Sequence, residues 1–68
     1  MTKQHNIQPD PMMDLHALAA YLGVSEATIY LWRKEGKAPR AYKLGRALRW
    51  RKSEVDAWLE EQREPANG

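Results

Sequence analysis

A mainly α fold, three helices carrying one small β-hairpin, is predicted by three features of the chain. Two short amphipathic stretches meet across Gly23-Val24-Ser25. The segment "YKLGRALRWRK", from Tyr42 to Lys52, interleaves large apolar and basic residues around Gly45-Arg46. A third apolar stripe follows from Ser53. Sixty-eight residues suffice for one such domain, which at that size buries only a modest share of its surface and has little room for an enclosed catalytic pocket. The 43% of hydrophobic residues is ordinary for a globular protein. There is no cysteine, which excludes disulfides and thiol-bound zinc and leaves packing to hold the fold. Trp32, Trp50 and Trp58 are the expected anchors.

Residues 1–12 are polar, contain Pro9 and Pro11, show no period, and read as a flexible arm. The ordered domain is expected over 13–63, with 64–68 as a disordered tail. The first helix begins near Asp14, whose carboxylate suits both the N-cap position and the helix dipole. Leu15, Leu18, Ala19 and Leu22 make its apolar stripe, and Gly23 supplies a left-handed stop. Ser25 caps a second helix that runs to about Glu35 and stops at Gly36. Two helices joined by so short a glycine-containing turn have the layout of a helix-turn-helix. At about 100° per residue, Ile29 and Trp32 face inward, with Thr28 at the edge. Ala27, Tyr30 and Lys34 lie opposite, flanked by Glu26 and Arg33. The third helix is expected from Ser53, with Ser53 and Asp56 in capping-box spacing and Val55, Trp58, Leu59 and Gln62 on one side.

Between the second and third helices the alternation has the period of a strand pair. A three-residue loop, Gly45-Arg46-Ala47, sets Leu44 against Leu48, Tyr42 against Trp50, and Lys43 against Arg49, sorting every side chain by polarity. A two-residue loop mixes the faces, so the longer one is expected. The hairpin would then glue Tyr42, Leu44, Leu48 and Trp50 to the helices, turn Lys43, Arg49 and Arg51 outward, and carry Arg46 at its tip.

The net charge of +2 says little, but its distribution says more. Arg33, Lys34, Lys37, Arg40, Lys43, Arg46, Arg49, Arg51 and Lys52 are opposed within their own segment only by Glu35, and acidic residues dominate from Glu54 onward. Such a block inside a folded domain is the footprint of a polyanion binder. No nucleophile–base pair, metal cluster or phosphate-cradling glycine loop is legible, so neither an enzyme nor a cofactor is expected. His5 and His16 stand at no metal-ligand spacing. Without a signal-peptide core or a membrane-length apolar run, the expected location is the cytoplasm.

Together, "LGVSEATIYLWRKEG", "LGRALRW" and "SEVDAWL" resemble the small winged helix-turn-helix proteins of the excisionase and AlpA-like group, whose fold is related to the DNA-binding domain of MerR-like regulators. The resemblance covers roughly Met13 to Gln62. Members often have Gly where Ala38 stands and Tyr or Phe where Trp50 stands. The resemblance implies a second helix in the major groove of double-stranded DNA and a two-stranded wing on backbone or minor groove. Carried over by position, Ser25 and Thr28 lie near phosphates, Tyr30, Arg33 and Lys34 on the groove-facing side, and Gly45, Arg46 and Arg49 in the wing. Gly45 serves the turn; the others, with Ala27, Lys43 and Arg51 from the face analysis, are the ten candidate DNA-binding residues, and the resemblance makes the expected host a bacterial or phage-infected cell.

The leading expectation is an excisionase, a recombination directionality factor that binds and bends attachment-site DNA, with an integrase and neighbouring copies of itself as further partners. A stand-alone AlpA-like transcriptional regulator, and a protein-interaction module whose basic face docks an acidic partner, are the alternatives.

Overall fold

The computed structural model describes residues 10–66. It contains three helices and a small antiparallel sheet of three strands, a winged helix-turn-helix. In chain order these are β1 (Met12–Met13), α1 (Leu15–Leu22), α2 (Glu26–Lys34), β2 (Tyr42–Leu44), β3 (Ala47–Arg51) and α3 (Lys52–Glu61). Among the described residues no helix is long and apolar enough to cross a membrane.

The helix-turn-helix forms where the caps place it. The Asp14 carboxylate accepts the Ala17 N–H at 2.8 Å and starts α1. Gly23, at φ 71, ends it in the left-handed region, and its N–H donates back to Ala19 and Ala20 carbonyls. Two residues later the Ser25 hydroxyl accepts the Thr28 N–H at 3.1 Å and opens α2. The core consists of Met13, Leu18, Ala19, Ile29, Trp50 and Val55, with Leu15, Leu22, Val24, Ala41 and Leu48 packed around it. Each helix therefore contributes one or two buried residues, and β3 contributes the largest, Trp50.

Trp50 also fixes the path between α2 and the wing. Its indole N–H donates to the Pro39 carbonyl at 3.0 Å, fully inside the fold. Two residues earlier the half-buried Trp58 donates to the Lys37 carbonyl at 3.1 Å, while its ring packs against Trp32 with centroids 5.8 Å apart. Two tryptophans thus hold alternate carbonyls of a connection that has no regular structure of its own.

Three sequence expectations are corrected here. The wing turn has two residues, not three: Leu44 pairs with Ala47, Lys43 with Leu48, and Tyr42 with Arg49. Polarity sorting failed because it assumed that the whole hairpin lies on the core. Only the part of β3 around Leu48 and Trp50 reaches it. Beyond that, Gly45 at φ 64 favours a tight turn whose twist matches the strands. The observed register also avoids setting Lys43 directly against Arg49. Consequently Tyr42 and Leu44 lie on the outer face instead of gluing the hairpin down, and Leu44 is 55% exposed. Tyr42 is compensated there by the Arg51 guanidinium, 5.3 Å from its ring centroid, and by the Glu54 carboxylate, which accepts its hydroxyl at 2.7 Å.

The second correction concerns the arm. Met12 and Met13 form a third strand, pairing with Arg51 and Trp50 of β3, so the sheet order is β1-β3-β2. Pro11 reads as a breaker, yet a proline biases its predecessor toward extended backbone, which suits the start of an edge strand. Its carbonyl accepts the Lys52 N–H at 3.0 Å. The rest of the expected arm, residues 1–9, lies outside the described residues. At the other end, Glu64 to Ala66 follow α3 without helix or strand, and 67–68 also lie outside the described residues.

Third, Ser53 is not the cap of α3. The helix starts one residue earlier, with Arg51 at the cap position and no side-chain cap from it. The capping oxygens come from Asp10, which accepts the Ser53 N–H at 2.9 Å and bonds the Ser53 hydroxyl at 2.8 Å. These bonds from Ser53, with Arg51 nearby, hold the Asp10 carboxyl below its ordinary value of 3.8. Three residues further along α3, Tyr21 and then Lys52 hold Asp56 below the same value through hydrogen bonds to its carboxylate.

Two outcomes are expected. Trp50→Ala should cost about 3–5 kcal/mol, a large part of the stability of so small a domain. Trp50→Phe, which keeps most of the ring but strands the Pro39 carbonyl, should cost about 1–3 kcal/mol; urea unfolding measures both. Because the Asp10 and Asp56 carboxyls titrate lower when folded, their contribution is complete above the unfolded value near 3.8 and is lost as pH falls through the lowered values. The melting temperature should therefore drop between about pH 5 and 2. An Asp10→Asn, Asp56→Asn double variant should show a shallower drop from a lower starting point.

Candidate nucleic-acid interface

The basic block divides into residues committed inside the fold and residues left free. Arg51 is committed: its guanidinium reaches Asp10 at 3.5 Å and Glu54 at 3.9 Å, and covers the Tyr42 ring. The Tyr42 hydroxyl first, and Asp10 after it, raise the pKa of Arg51 above its ordinary value. Lys52 is committed likewise, 3.0 Å from Asp56 and 5.1 Å from the Tyr21 ring centroid. Arg33 is exposed, with its guanidinium 5.9 Å from the Trp50 ring centroid and beside the loop to the wing. Unlike Arg51 and Lys52, the side chains of Arg33, Lys34, Arg40, Lys43, Arg46 and Arg49 take part in no ion pair among the described residues.

Arg46 and Arg49 come together with Tyr30. These three side chains line a shallow groove of about 310 Å³ between the wing and the two helices, together with Leu48, Asp14, Leu15, His16 and Glu26. Arg49 is steadied by a hydrogen bond from its guanidinium to the Leu48 carbonyl at 2.8 Å. In the same groove His16 Nδ1 stands 3.1 Å from Glu26 Oε2, tying the first turn of α1 to that of α2. Tyr30 is 58% exposed and belongs to two surfaces at once: the groove, and the outward face of α2 where Ala27 and Lys34 also lie. The wing tip and the outward helix face are therefore contiguous through one residue.

Ser25 and Thr28 sit at the first turn of α2, their hydroxyls 2.9 Å apart. Lys43 stands exposed on β2, across from Leu48. Of the ten candidates, nine lie on α2 and its cap or on the hairpin short of its root, and Arg51 is held at the root of the sheet by α3 and the segment before β1. Arg51 leaves β3 on the face opposite Trp50, as alternation predicts, but the Asp10 that pairs with it is 41 positions away and no periodicity announces it.

Leu31 was missed. The projection that marks Ala27 and Lys34 places it beside them, and it is half exposed. Its apolar character drew no attention in a search for charge.

Residues 12–63 match the helix-turn-helix domain family. The chain belongs to that family. The match spans every element from β1 to α3, so the helix-turn-helix domain includes the sheet and the closing helix. No curated protein matches the chain significantly. A helix-turn-helix domain is a DNA-binding module, and double-stranded DNA is the partner it implies.

The division of charge gives a direct test. Arg46→Ala and Arg49→Ala should each weaken binding to all duplexes alike and lower the salt slope by about 1, because a phosphate contact carries no sequence information. Arg51→Ala should instead lower the melting temperature and leave the slope of the folded protein unchanged.

Proposed function

We propose that this chain is a sequence-specific DNA reader serving site-specific recombination as an excisionase: it binds and bends attachment-site DNA so that an integrase proceeds toward excision. The observation that carries the DNA-reading part is the shared groove. Arg46 and Arg49 of the wing and Tyr30 of α2 border one surface, continuous with Lys34, so one duplex can meet them together. The excisionase part is supported by the resemblance of the three motifs.

In this reading α2 enters the major groove. Ser25 and Thr28, with the free N–H groups of the first turn, meet phosphate at its N-terminus. Ala27, Tyr30 and Lys34 face base edges, where the Lys34 ammonium suits the O6 and N7 acceptors of guanine. Arg33, exposed on the same helix and near the loop to the wing, meets a base edge or the adjoining backbone. Arg46, Arg49 and Lys43 follow phosphates or the minor groove, whose negative potential is strongest where it is narrow. A single module of this size buries limited area and binds one site weakly. Copies on adjacent sites that touch each other raise the effective concentration of the next, and the resulting array imposes the bend.

An excision assay tests this reading. Integrase and paired attachment sites are incubated with and without the protein, and excised product is scored. The expected outcome is excision that depends on the protein and falls with Arg49→Ala. Sequence-specific binding with no effect on excision, but with altered transcription from a promoter bearing the site, would instead establish the stand-alone regulator.

A further inference from the structure

The outward face of α2 carries apolar side chains that the fold does not use. Ala27 and Leu31, four residues apart, lie one above the other on that face. Both are exposed, Leu31 by half, and Leu31 is neither in the core nor among the hydrophobics packed around it. A lone exposed leucine is ordinary. The setting of this one is not. Lys34 follows it by three residues, Tyr30 adjoins it, and Arg46 and Arg49 line the groove with Tyr30.

A surface that pairs an apolar strip with cations at its margin needs a partner with apolar groups between anions. The major groove of a duplex has that arrangement: phosphates along its edges and, inside, the C5-methyl group of each thymine. Dimensions agree. Four residues of helix rise about 6 Å, and successive bases along a strand are about 3.4 Å apart, so the two side chains span about two steps. A protein partner fits less well, because one leucine and one alanine offer far less than the roughly 800 Å² per side of a stable protein interface.

Building on the DNA-reading role proposed above, we propose that Ala27 and Leu31 form a methyl-reading strip that selects thymines at one or two positions of the recognised site. Leu31 is the specificity-determining residue, and Ala27 leaves room for the second methyl group to approach the helix.

Deoxyuridine scanning tests this. The full chain first selects its preferred duplex from a random pool. Each thymine in that duplex is then replaced singly by deoxyuridine, which deletes only the methyl group. Affinity is measured for the wild type, Leu31→Met and Leu31→Ala. Because Leu31 is exposed, neither variant threatens the fold, which circular dichroism verifies. The wild type should lose about fourfold at one or two thymines, the value of one buried methyl group. Leu31→Met should keep that penalty. Leu31→Ala should bind the thymine duplex more weakly and show no further loss with deoxyuridine. Indifference of the wild type to every replacement, or an equal penalty in Leu31→Ala, overturns the proposal while salt-dependent duplex binding still stands. Failure of the wild type to select any duplex overturns both readings.

Discussion

The hydrogen bond from the Trp50 indole to the Pro39 carbonyl is the contact on which the arrangement of this domain depends. Trp50 is the largest fully buried side chain, it sits in the central strand, and it faces Met13 across the sheet. Its ring supplies the apolar area that a chain without disulfides must find elsewhere, and its N–H fixes where the chain travels between α2 and the wing. If that connection were free, Arg46 and Arg49 would have no fixed distance from Tyr30. Packing and function meet in one residue: what stabilises the core also sets the geometry of the surface.

Charge in this domain does two separate jobs. The acidic residues at the ends of the fold are counter-ions for part of the basic block. Asp10 and Glu54 hold Arg51, and Asp56 holds Lys52, so the root of the sheet and the start of α3 are locked together electrostatically. Lys34, Lys43, Arg46 and Arg49 have no such partners among the described residues and remain available to an external anion. Position relative to the acidic residues around α3, rather than residue type, separates an arginine paired within the fold from one left unpaired.

Much of this was legible in the sequence. Caps and glycines announced α1 and α2, and the helical projection chose Ile29 for the core and Tyr30 for the outside. What escaped detection was long-range or short. A two-residue strand has no period, so β1 was hidden behind Pro11. The cap of α3 came from Asp10, while the sequence offered Ser53 locally. The wing register was misread because alternation was trusted beyond the reach of the core, whereas Gly45 alone argued for the tighter turn. Leu31 was overlooked because an apolar residue on a polar face was not weighed as a contact.

The central claim is that the wing and the outward face of α2 meet one polyanionic duplex together. Measuring the affinity for duplex DNA as salt is varied tests it most directly. Engagement of about four to six phosphates by the combined surface predicts a log–log slope near −4 to −5. A slope near zero would contradict the claim, because a face that releases no counterions is not lying on DNA.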